Sequence, residues 1–405
     1  MNATTKGEER HRALLFRYSI AVRLFSFALL HIASTWLPLF DASPLLVQDI
    51  TTLEYPLLRW DAFHFHHIAA KGYVYEHEWA FFPMMRALSL LQPSSLRGPK
   101  HLLLIGMTAA LACDSSQLLY TLSLFHLRSA DLAFLASVLS LIPTSPVTAY
   151  FVPINEPFFT HFSYRGMLCC TRRKWAKAAF WFALAGALRS NGIFLGGFVL
   201  WGLLVQPFAV GKMPTIKTFT KAIALISIIV APFMTYQAYA YITFCTRFEG
   251  PIPEWCSWFP PAIYTYVQSK YWNVGVLRYW TVSQLPNFVI ASPTLLLIFA
   301  FILHHFRNGS LLQLSKSKSC SQVNTVFQNS SITPHALHAT IFASILLFAS
   351  HTQIVLRLAS SMPLIYWAAA WLVTYHPTFG KAWVLWSVLW GTTSIVLWAA
   401  FLPPA

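Results

Sequence analysis

Residues 219–244 read FTKAIALISIIVAPFMTYQAYAYITF, a run of 26 residues in which Lys221 is the single charged side chain. An α-helix rises about 1.5 Å per residue, so about 20 apolar residues are enough to cross the hydrocarbon core of a bilayer. Lipid offers the backbone no hydrogen-bond partner, and a run that crosses it must therefore satisfy its own N–H and C=O groups as a helix. The run predicts a transmembrane helix.

Similar apolar runs recur along the whole chain, which is 56% hydrophobic and 10% charged. Soluble domains carry about 25% charged residues. We therefore predict an all-α polytopic membrane protein with nine to eleven transmembrane helices, in a single domain (14–405) that follows a short N-terminal segment (1–13). The other expected spans are 14–40, 101–125, 130–150, 154–170, 175–188, 192–206, 286–306, 337–351, 354–375 and 382–401.

The formal net charge of +15 is interpreted as a topology signal, because basic loops stay on the cytosolic side of a membrane. In a soluble protein the same charge would suggest nucleic acid, which we do not expect here. The N-terminal segment, residues 172–177, residues 212–221 and the loop 307–336 are basic and are predicted to be cytosolic. The loops 41–100 and 245–285 then lie on the opposite side, and they hold eight of the thirteen acidic residues.

The segment 59–86, RWDAFHFHHIAAKGYVYEHEWAFFPMMR, gathers titratable side chains within this apolar chain. Ionisable residues at a membrane are costly and often functional. Asp61 follows Arg59-Trp60 and could act as a general base that takes a proton from an attacking hydroxyl. It could equally cap a helix that starts at Ala62, a common role for aspartate.

The tripeptide Glu76-His77-Glu78 is the second candidate in this segment. Two carboxylates and an imidazole could bind a sugar, a counter-cation of a phosphate or a metal ion, or could form a solvated loop edge. In an extended segment Glu76 and Glu78 would share one face.

Three further polar groups interrupt the apolar runs. Glu156 follows Asn155 at expected membrane depth, where a carboxylate is functional or favours the N-terminus of a helix. Arg189 and Asn191 could hold a phosphate or sugar hydroxyls, or could belong to a tight turn. Arg357 needs a partner at lipid depth, and a lipid phosphate and Glu156 are the two candidates.

Aromatic rings alternate with polar side chains from residue 271 to residue 287. Trp272, Asn273 and Arg278 suit a carbohydrate, because ring faces stack on sugars and polar groups bind hydroxyls. An interfacial aromatic belt is the alternative. Cys245 and Cys256 bracket a polar loop that allows a disulfide if the loop is luminal. No cysteine or histidine spacing is typical of a metal site, so no metal is predicted.

The assembled motifs resemble those of the PIG-V family of GPI mannosyltransferases, over most of the chain. They are Arg59-Trp60-Asp61-Ala62, Gly72-Tyr73-Val74-Tyr75-Glu76-His77-Glu78-Trp79-Ala80-Phe81-Phe82-Pro83, Arg189-Ser190-Asn191-Gly192, Tyr271-Trp272-Asn273-Val274-Gly275-x-x-Arg278-Tyr279-Trp280 and Arg357-x5-Pro363-x-x-Tyr366-Trp367.

The resemblance implies a GT-C glycosyltransferase of the endoplasmic reticulum membrane, with its N-terminus cytosolic, a large first luminal loop and a luminal active site. It implies transfer of the second mannose, in α-1,6 linkage, from dolichyl phosphate mannose to the one-mannose GPI glycolipid, without a separate cofactor. Asp61 falls on the essential acid of the first luminal loop. The donor is β-linked, so an α product means inversion by one base. Arg189, Arg357 and His77 would steady the leaving phosphate.

Two alternatives stay open at this stage. One is a different dolichol-dependent GT-C mannosyltransferase, and the other is a lipid transporter or scramblase, for which we find no internal repeat of the expected kind. The sequence also leaves open whether a small membrane partner subunit is required. Substrate binding is assigned to Arg59, Trp60, Glu76, His77, Glu78, Glu156, Arg189, Asn191, Trp272, Asn273, Arg278 and Arg357, and catalysis to Asp61.

Overall fold

The computed structural model describes residues 3–47, 50–83, 86–87, 90, 102–246, 252–307 and 326–403, and within these ranges its regular structure is entirely helical. The helices, some with short 3-10 or π turns, are α1 Ala3–Trp36, α2 Asp61–Lys71, α3 Leu102–Ala112, α4 Ser116–Leu127, α5 Ala130–Leu139, α6 Pro146–Tyr150, α7 Asn155–Thr171, α8 Trp175–Gly186, α9 Ser190–Ala209, α10 Ile216–Tyr241, α11 Ile263–Trp272, α12 Leu285–Arg307, α13 Thr333–Phe348, α14 Thr352–Ser361, α15 Pro363–Tyr375 and α16 Pro377–Ala399.

The predicted polytopic membrane fold is confirmed, with a lower count of spans. Seven helical stretches in the described ranges are long and apolar enough to cross a membrane, or eight if the bent pair α14–α15 counts as one. The sequence predicted nine to eleven, and the described ranges hold seven or eight. Runs expected at 130–150, 154–170 and 175–188 form helices of 10, 17 and 12 residues, which are shorter than the roughly 20 residues that a span needs.

Helix α15 is the centre of the bundle. Its residues 363–371 are all buried, which is the pattern of a helix surrounded by protein rather than of one with a single apolar face. The polar atom of the buried Trp367 side chain is satisfied, since its indole N–H donates to Ser123 Oγ at 2.8 Å. Helices α5, α12 and α16 pack against α15.

The chain turns by 90° between α14 and α15. Pro363 is the first residue of α15, and the residue before a proline is driven out of the helical region. Met362 accordingly adopts extended angles, with φ −106° and ψ 105°, and α14 ends before it. This break turns α14 away from the bundle axis and carries Arg357 to the same end of the bundle as α2.

The two acid-rich loops meet at that end. Lys270 Nζ lies 3.2 Å from Glu76 Oε2, and the indole N–H of Trp255 donates to Glu76 Oε1 at 3.1 Å. A disulfide between Cys245 and Cys256 closes the second loop, with the two Cα atoms 5.7 Å apart. The described parts of the two loops therefore lie at the same end of the bundle, and the side of the membrane that they face stays a prediction.

The helix directions place the basic segments at the opposite end. Helices α7 and α9 start beside the loops and run away from them, toward residues 172–177 and 212–221. Helix α13 begins at Thr333, inside the predicted loop 307–336, and residues 308–325 of that loop lie outside the described ranges. So do residues 48–49, 84–85, 88–89 and 91–100 of the loop 41–100 and residues 247–251 of the loop 245–285.

Candidate active site

Asp61 is placed by an unusual backbone turn. Helix α2 begins at Asp61 itself, and the preceding Trp60 has φ 50°, a conformation that costs a residue other than glycine roughly 1–3 kcal/mol. The Trp60 ring stacks on Phe401 at 5.2 Å, and its indole N–H donates to the Leu402 carbonyl at 3.2 Å. The capping alternative for Asp61 is wrong, because its carboxylate makes no cap and lies at the mouth of a cleft instead.

Arg59 holds this turn from behind. Its guanidinium is fully buried and donates to the carbonyls of Tyr55 at 2.6 Å, Leu58 at 2.9 Å and Ala399 at 3.4 Å. Desolvation lowers the pKa of Arg59 to about 10, so it stays charged at neutral pH beside the C-terminal carbonyls of α16. These contacts give Arg59 a positioning role.

Arg357 joins two carboxylates. Its Nη2 donates to Asp61 Oδ2 at 2.7 Å and to Glu156 Oε1 at 2.5 Å. Arg189 Nη1 donates to the same Glu156 oxygen at 2.6 Å. Two arginines and two carboxylates therefore form one charge-balanced chain, and charge-assisted hydrogen bonds of this kind are the strong ones. The sequence left Glu156 and a lipid phosphate as partners for Arg357, and the contact with Glu156 is observed.

Glu156 and Arg189 are brought together by local packing. Glu156 lies in the first turn of α7, where a carboxylate favours the helix dipole. The neighbouring Asn155 Nδ2 donates to the Leu188 carbonyl at 2.5 Å, which ties the start of α7 to the turn before α9. A Cβ on Gly192 would lie 2.5 Å from the Cα of Gly186, so only glycine allows this close turn. Asn191 is half-buried in the same turn.

The charge of Arg357 keeps Asp61 ionised. Burial alone would raise the pKa of Asp61, but the charge of Arg357 and its hydrogen bond, with smaller help from His64 and Arg189, lower it below the usual value for aspartate. Burial also lowers the pKa of His64, against the opposing effect of Asp61. A carboxylate therefore faces a neutral imidazole across the site at neutral pH.

Asp61 opens into a cleft of about 390 Å³. The side chain of Asp61 is 33% exposed, whereas that of Glu156 is 3% exposed and lies behind Arg357. Glu156 Oε2 and Arg357 Nε are buried and form no hydrogen bond. The cluster therefore keeps one acceptor and one donor that its own contacts do not satisfy. The cleft is lined by Ser43, Trp60, Asp61, Phe63, His64, Phe81, Trp272 and Phe401.

Glu76 and Glu78 do not share a face, because residues 76–80 form a 3-10 helix rather than an extended segment. Glu78 is buried and accepts from the backbone N–H groups of Val74 at 2.8 Å and Tyr75 at 2.9 Å, and from His67. Its carboxylate shapes the loop. Glu76 instead holds the second loop through Trp255, Lys270 and Tyr271.

The remaining predicted residues lie at or beyond the rim. Trp272 lines the cleft, and His77 lies near it, with its ring 5.3 Å from that of His64. Asn273 is exposed and ends α11 in the left-handed conformation, at φ 51°. Arg278 is exposed and donates to Ser269 at 2.7 Å, and this contact does not bring it to Asp61.

Two groups of residues that line the cleft were not predicted from the sequence. Phe401 lies 340 positions after Asp61 in the chain, and no local pattern signals that the C-terminal segment returns to the first loop. His64 and Phe81 lie inside the motifs already singled out, and their rings stack at 4.4 Å. In the described ranges, no group of three or more His, Cys, Asp or Glu side chains could hold a metal ion.

The fold and the site together define a polytopic, all-helical membrane protein of GT-C type, with a carboxylate–arginine cluster where two loops meet at one end of the bundle. The family model described as "Mannosyltransferase (PIG-V)" matches residues 11–405. The chain belongs to this family.

Curated relatives support the same assignment over most of their length. "GPI mannosyltransferase 2" of Cryptococcus neoformans var. neoformans serotype D (strain JEC21) is 34% identical over 97% of this chain and 98% of its own. The fission yeast Schizosaccharomyces pombe protein of that name is 31% identical, over 87% and 74%. "GPI alpha-1,6-mannosyltransferase 2" of Mus musculus is 31% identical, over 78% and 73%. No solved structure matches.

Proposed function

We propose that this protein adds the second mannose, in α-1,6 linkage, to the one-mannose intermediate of the GPI anchor, with dolichyl phosphate mannose as donor. The family and the names of its relatives support the reaction. The observation that carries the mechanism is one accessible carboxylate, Asp61, held by Arg357 at the mouth of a cleft.

The reaction is a direct displacement at the anomeric carbon of the donor. Asp61 takes the proton of the acceptor hydroxyl as its oxygen forms the new bond to that carbon. The bond from the anomeric carbon to the phosphate oxygen breaks, and its electron pair leaves with the phosphate. The proton is on Asp61 and the negative charge on the phosphate when the step ends, so a phosphate leaving group requires neither an added acid nor a cofactor.

Inversion follows from the unequal accessibility of the two carboxylates. Asp61 Oδ2 and Glu156 Oε1 both bond to one nitrogen of Arg357 at 2.7 and 2.5 Å, so they lie within about 5.2 Å of each other. Carboxyl groups this close serve a retaining mechanism when both face the sugar, and here Glu156 is 3% exposed. One accessible carboxylate supports a single displacement, which converts a β-linked donor into an α product.

Arg357 is suited first to hold Asp61 and then to bind the phosphate of the donor. Before donor binding its Nη2 is bound to Asp61 and Glu156, and its Nε is buried without a partner. A guanidinium has five N–H donors, so the N–H groups that are not bound to carboxylates can donate to a phosphate while the contact with Glu156 is kept. Arg189, which shares Glu156, adds positive charge behind it. Both would stabilise charge as it develops on the phosphate.

Both substrates are lipids, so the reaction belongs at the membrane surface. The site lies at the end of the helices opposite the basic segments, and basic segments remain cytosolic. We accordingly place the N-terminus in the cytosol and the cleft on the luminal face of the endoplasmic reticulum membrane.

The proposed reaction can be measured in membranes that lack their own second GPI mannosyltransferase. This chain, with labelled dolichyl phosphate mannose and the one-mannose glycolipid, should yield a two-mannose product whose outer sugar an α-1,6-specific mannosidase releases. Transfer that requires a different acceptor, or a product resistant to that mannosidase, would contradict the proposal.

A further inference from the structure

The mechanism above leaves a proton on Asp61, where the surroundings disfavour it. Arg357 Nη2 donates to Asp61 Oδ2 at 2.7 Å and stabilises the ionised carboxylate. A proton on Asp61 weakens this ion pair, and the carboxylate must be ionised again before it can act on the next acceptor hydroxyl. A neighbouring base that takes the proton would restore the carboxylate after each transfer.

His64 lies one helical turn after Asp61 on the same face of α2. Side chains three positions apart on a helix have Cβ atoms about 5–6 Å apart, and both of these residues line the cleft. Burial lowers the pKa of His64, and the charge of Asp61 opposes that shift. The ring is therefore neutral at neutral pH and can accept a proton.

Aromatic contacts hold the His64 ring. It stacks on Phe81 at 4.4 Å and meets the His77 ring edge-on at 5.3 Å. Within the described part of the chain these contacts are made by ring faces and edges, and they leave the two nitrogens of His64 free of hydrogen bonds. A neutral imidazole has one accepting and one donating nitrogen, so it can take a proton on one and release a proton from the other.

His77 connects His64 to the exposed rim of the cleft. Its ring lies 5.7 Å from that of Tyr75 and 5.6 Å from that of Tyr271, and both tyrosines are exposed. A proton released beside His77 reaches water without crossing the cleft. This route matters during turnover, because the cleft of about 390 Å³ has the size of a ligand site, and bound substrates displace the water in front of Asp61.

The other titratable groups around His64 are already paired. His67, on the same helix, is bound to the buried carboxylate of Glu78, which also accepts from two backbone N–H groups. From α11, Lys270 reaches Glu76 at 3.2 Å. His64 is therefore the neutral base beside Asp61 that these pairs leave available.

We propose that His64 takes the proton from Asp61 after each transfer and passes it to water at the rim beside His77. This inference rests on the proposed function. The O–H bond of protonated Asp61 breaks as an N–H bond forms on His64, which restores the carboxylate. The resulting imidazolium then loses a proton from a ring nitrogen to water. The first step is favourable because imidazole is ordinarily a stronger base than an aspartate carboxylate, by about two to three pKa units.

Two substitutions at His64 separate proton transfer from packing. His64→Phe keeps a ring that can stack on Phe81 but has no nitrogen, and His64→Ala leaves a space that free imidazole can enter. Both should lower kcat about ten- to a hundredfold, because water replaces the imidazole only in part, with KM for each substrate within twofold of wild type. Added imidazole should raise kcat of His64→Ala about tenfold and leave that of His64→Phe unchanged.

The matched control is His376→Ala, at an exposed histidine where α15 ends, at the other end of the bundle. It should transfer mannose at the wild-type rate with and without imidazole. Wild-type kcat in His64→Phe would overturn the proposal, because the ring nitrogens would then be unnecessary. A folded but slow His64→Ala protein that imidazole does not restore would also overturn it and would mean a packing role. The melting temperature in detergent shows whether each variant folds.

A chemical measurement separates this inference from the proposed reaction. Diethyl pyrocarbonate reacts with neutral imidazole, so the pH dependence of its reaction with His64, read by peptide mass spectrometry, reports the protonation of that side chain. Asp61→Asn removes the charge that opposes the effect of burial, so the pKa of His64 should fall. A lower pKa supports the coupling of the pair even if mannose transfer does not occur, and an unchanged one refutes it even if transfer is observed.

Discussion

Arg357 Nη2 donates a 2.7 Å hydrogen bond to Asp61 Oδ2, between residues that are 296 positions apart in the chain. This contact joins α14 to α2, and it determines the ionisation state of the proposed base. The same nitrogen binds Glu156, which is itself held by Arg189, so the position of Asp61 depends on three distant parts of the sequence.

Replacing Arg357 should shift the pH dependence of transfer. In the wild type, Arg357 lowers the pKa of Asp61, so the base stays ionised as the pH falls through the usual range of aspartate. In Arg357→Gln, burial acts without that compensation and raises this pKa. The acid limb of kcat/KM should move to higher pH, on a reduced plateau. The control variant Arg172→Gln, a surface change at the other end of the bundle, should leave the pH profile unchanged. An unshifted profile in Arg357→Gln would show that Arg357 does not control the pKa of Asp61.

The stability of the site should depend on Glu156. Removing one partner of a buried ion pair costs about 3–5 kcal/mol, because the remaining charge is uncompensated. Glu156→Gln should therefore lower the melting temperature in detergent. Arg189→Met in the same chain restores the charge balance, and the double variant should melt above the value that the two single changes predict together. Simple additivity would mean that the cluster is not energetically coupled.

Trp60 and Phe401 should act as a unit. The stack of their rings helps to hold the strained turn that aims Asp61. Trp60→Ala and Phe401→Ala should each reduce kcat about tenfold or more, and the double variant should be little worse than either. Multiplied losses would indicate that Phe401 contributes to the cleft independently of Trp60.

The disulfide should be detectable by thiol labelling. Cys113, Cys169 and Cys170 are free, whereas Cys245 and Cys256 are joined. In a variant with the free cysteines and Cys320 replaced by Ala, a maleimide polymer should shift the denatured chain on a gel only after reduction. Labelling without reductant would show that the loop is reduced, and would weigh against its luminal placement.

The fold was largely predictable because its main signal is local. A run such as 219–244 specifies a helix through its own composition, and α10 with the π turn after it covers Ile216–Thr246. The number of spans was less predictable. Helix α5 is apolar but only 10 residues long, and burial within protein can replace contact with lipid, a choice that composition does not reveal.

The site was predictable where its residues lie in motifs and not where packing brings them together. The sequence predicted each member of the charged cluster separately: Asp61, Glu156, Arg189 and Arg357. It did not predict that they meet, because their contact depends on the bend before Pro363. Glu78 was assigned to substrate because it is a rare acid in an apolar chain. Its actual contacts are the backbone of its own loop, and such contacts follow from loop geometry that a single sequence does not specify.

The most direct test of the account is the rate of mannose transfer by Asp61→Asn. The amide keeps the size of the side chain and cannot take the proton, so transfer to the one-mannose glycolipid should fall by about 10²–10⁴, with protein level and acceptor binding retained. Asp131→Asn, the same change at a carboxylate that is 95% exposed at the other end of the bundle, should be as active as the wild type. An Asp61→Asn protein that transfers mannose at the wild-type rate would contradict the assignment of Asp61 as the base.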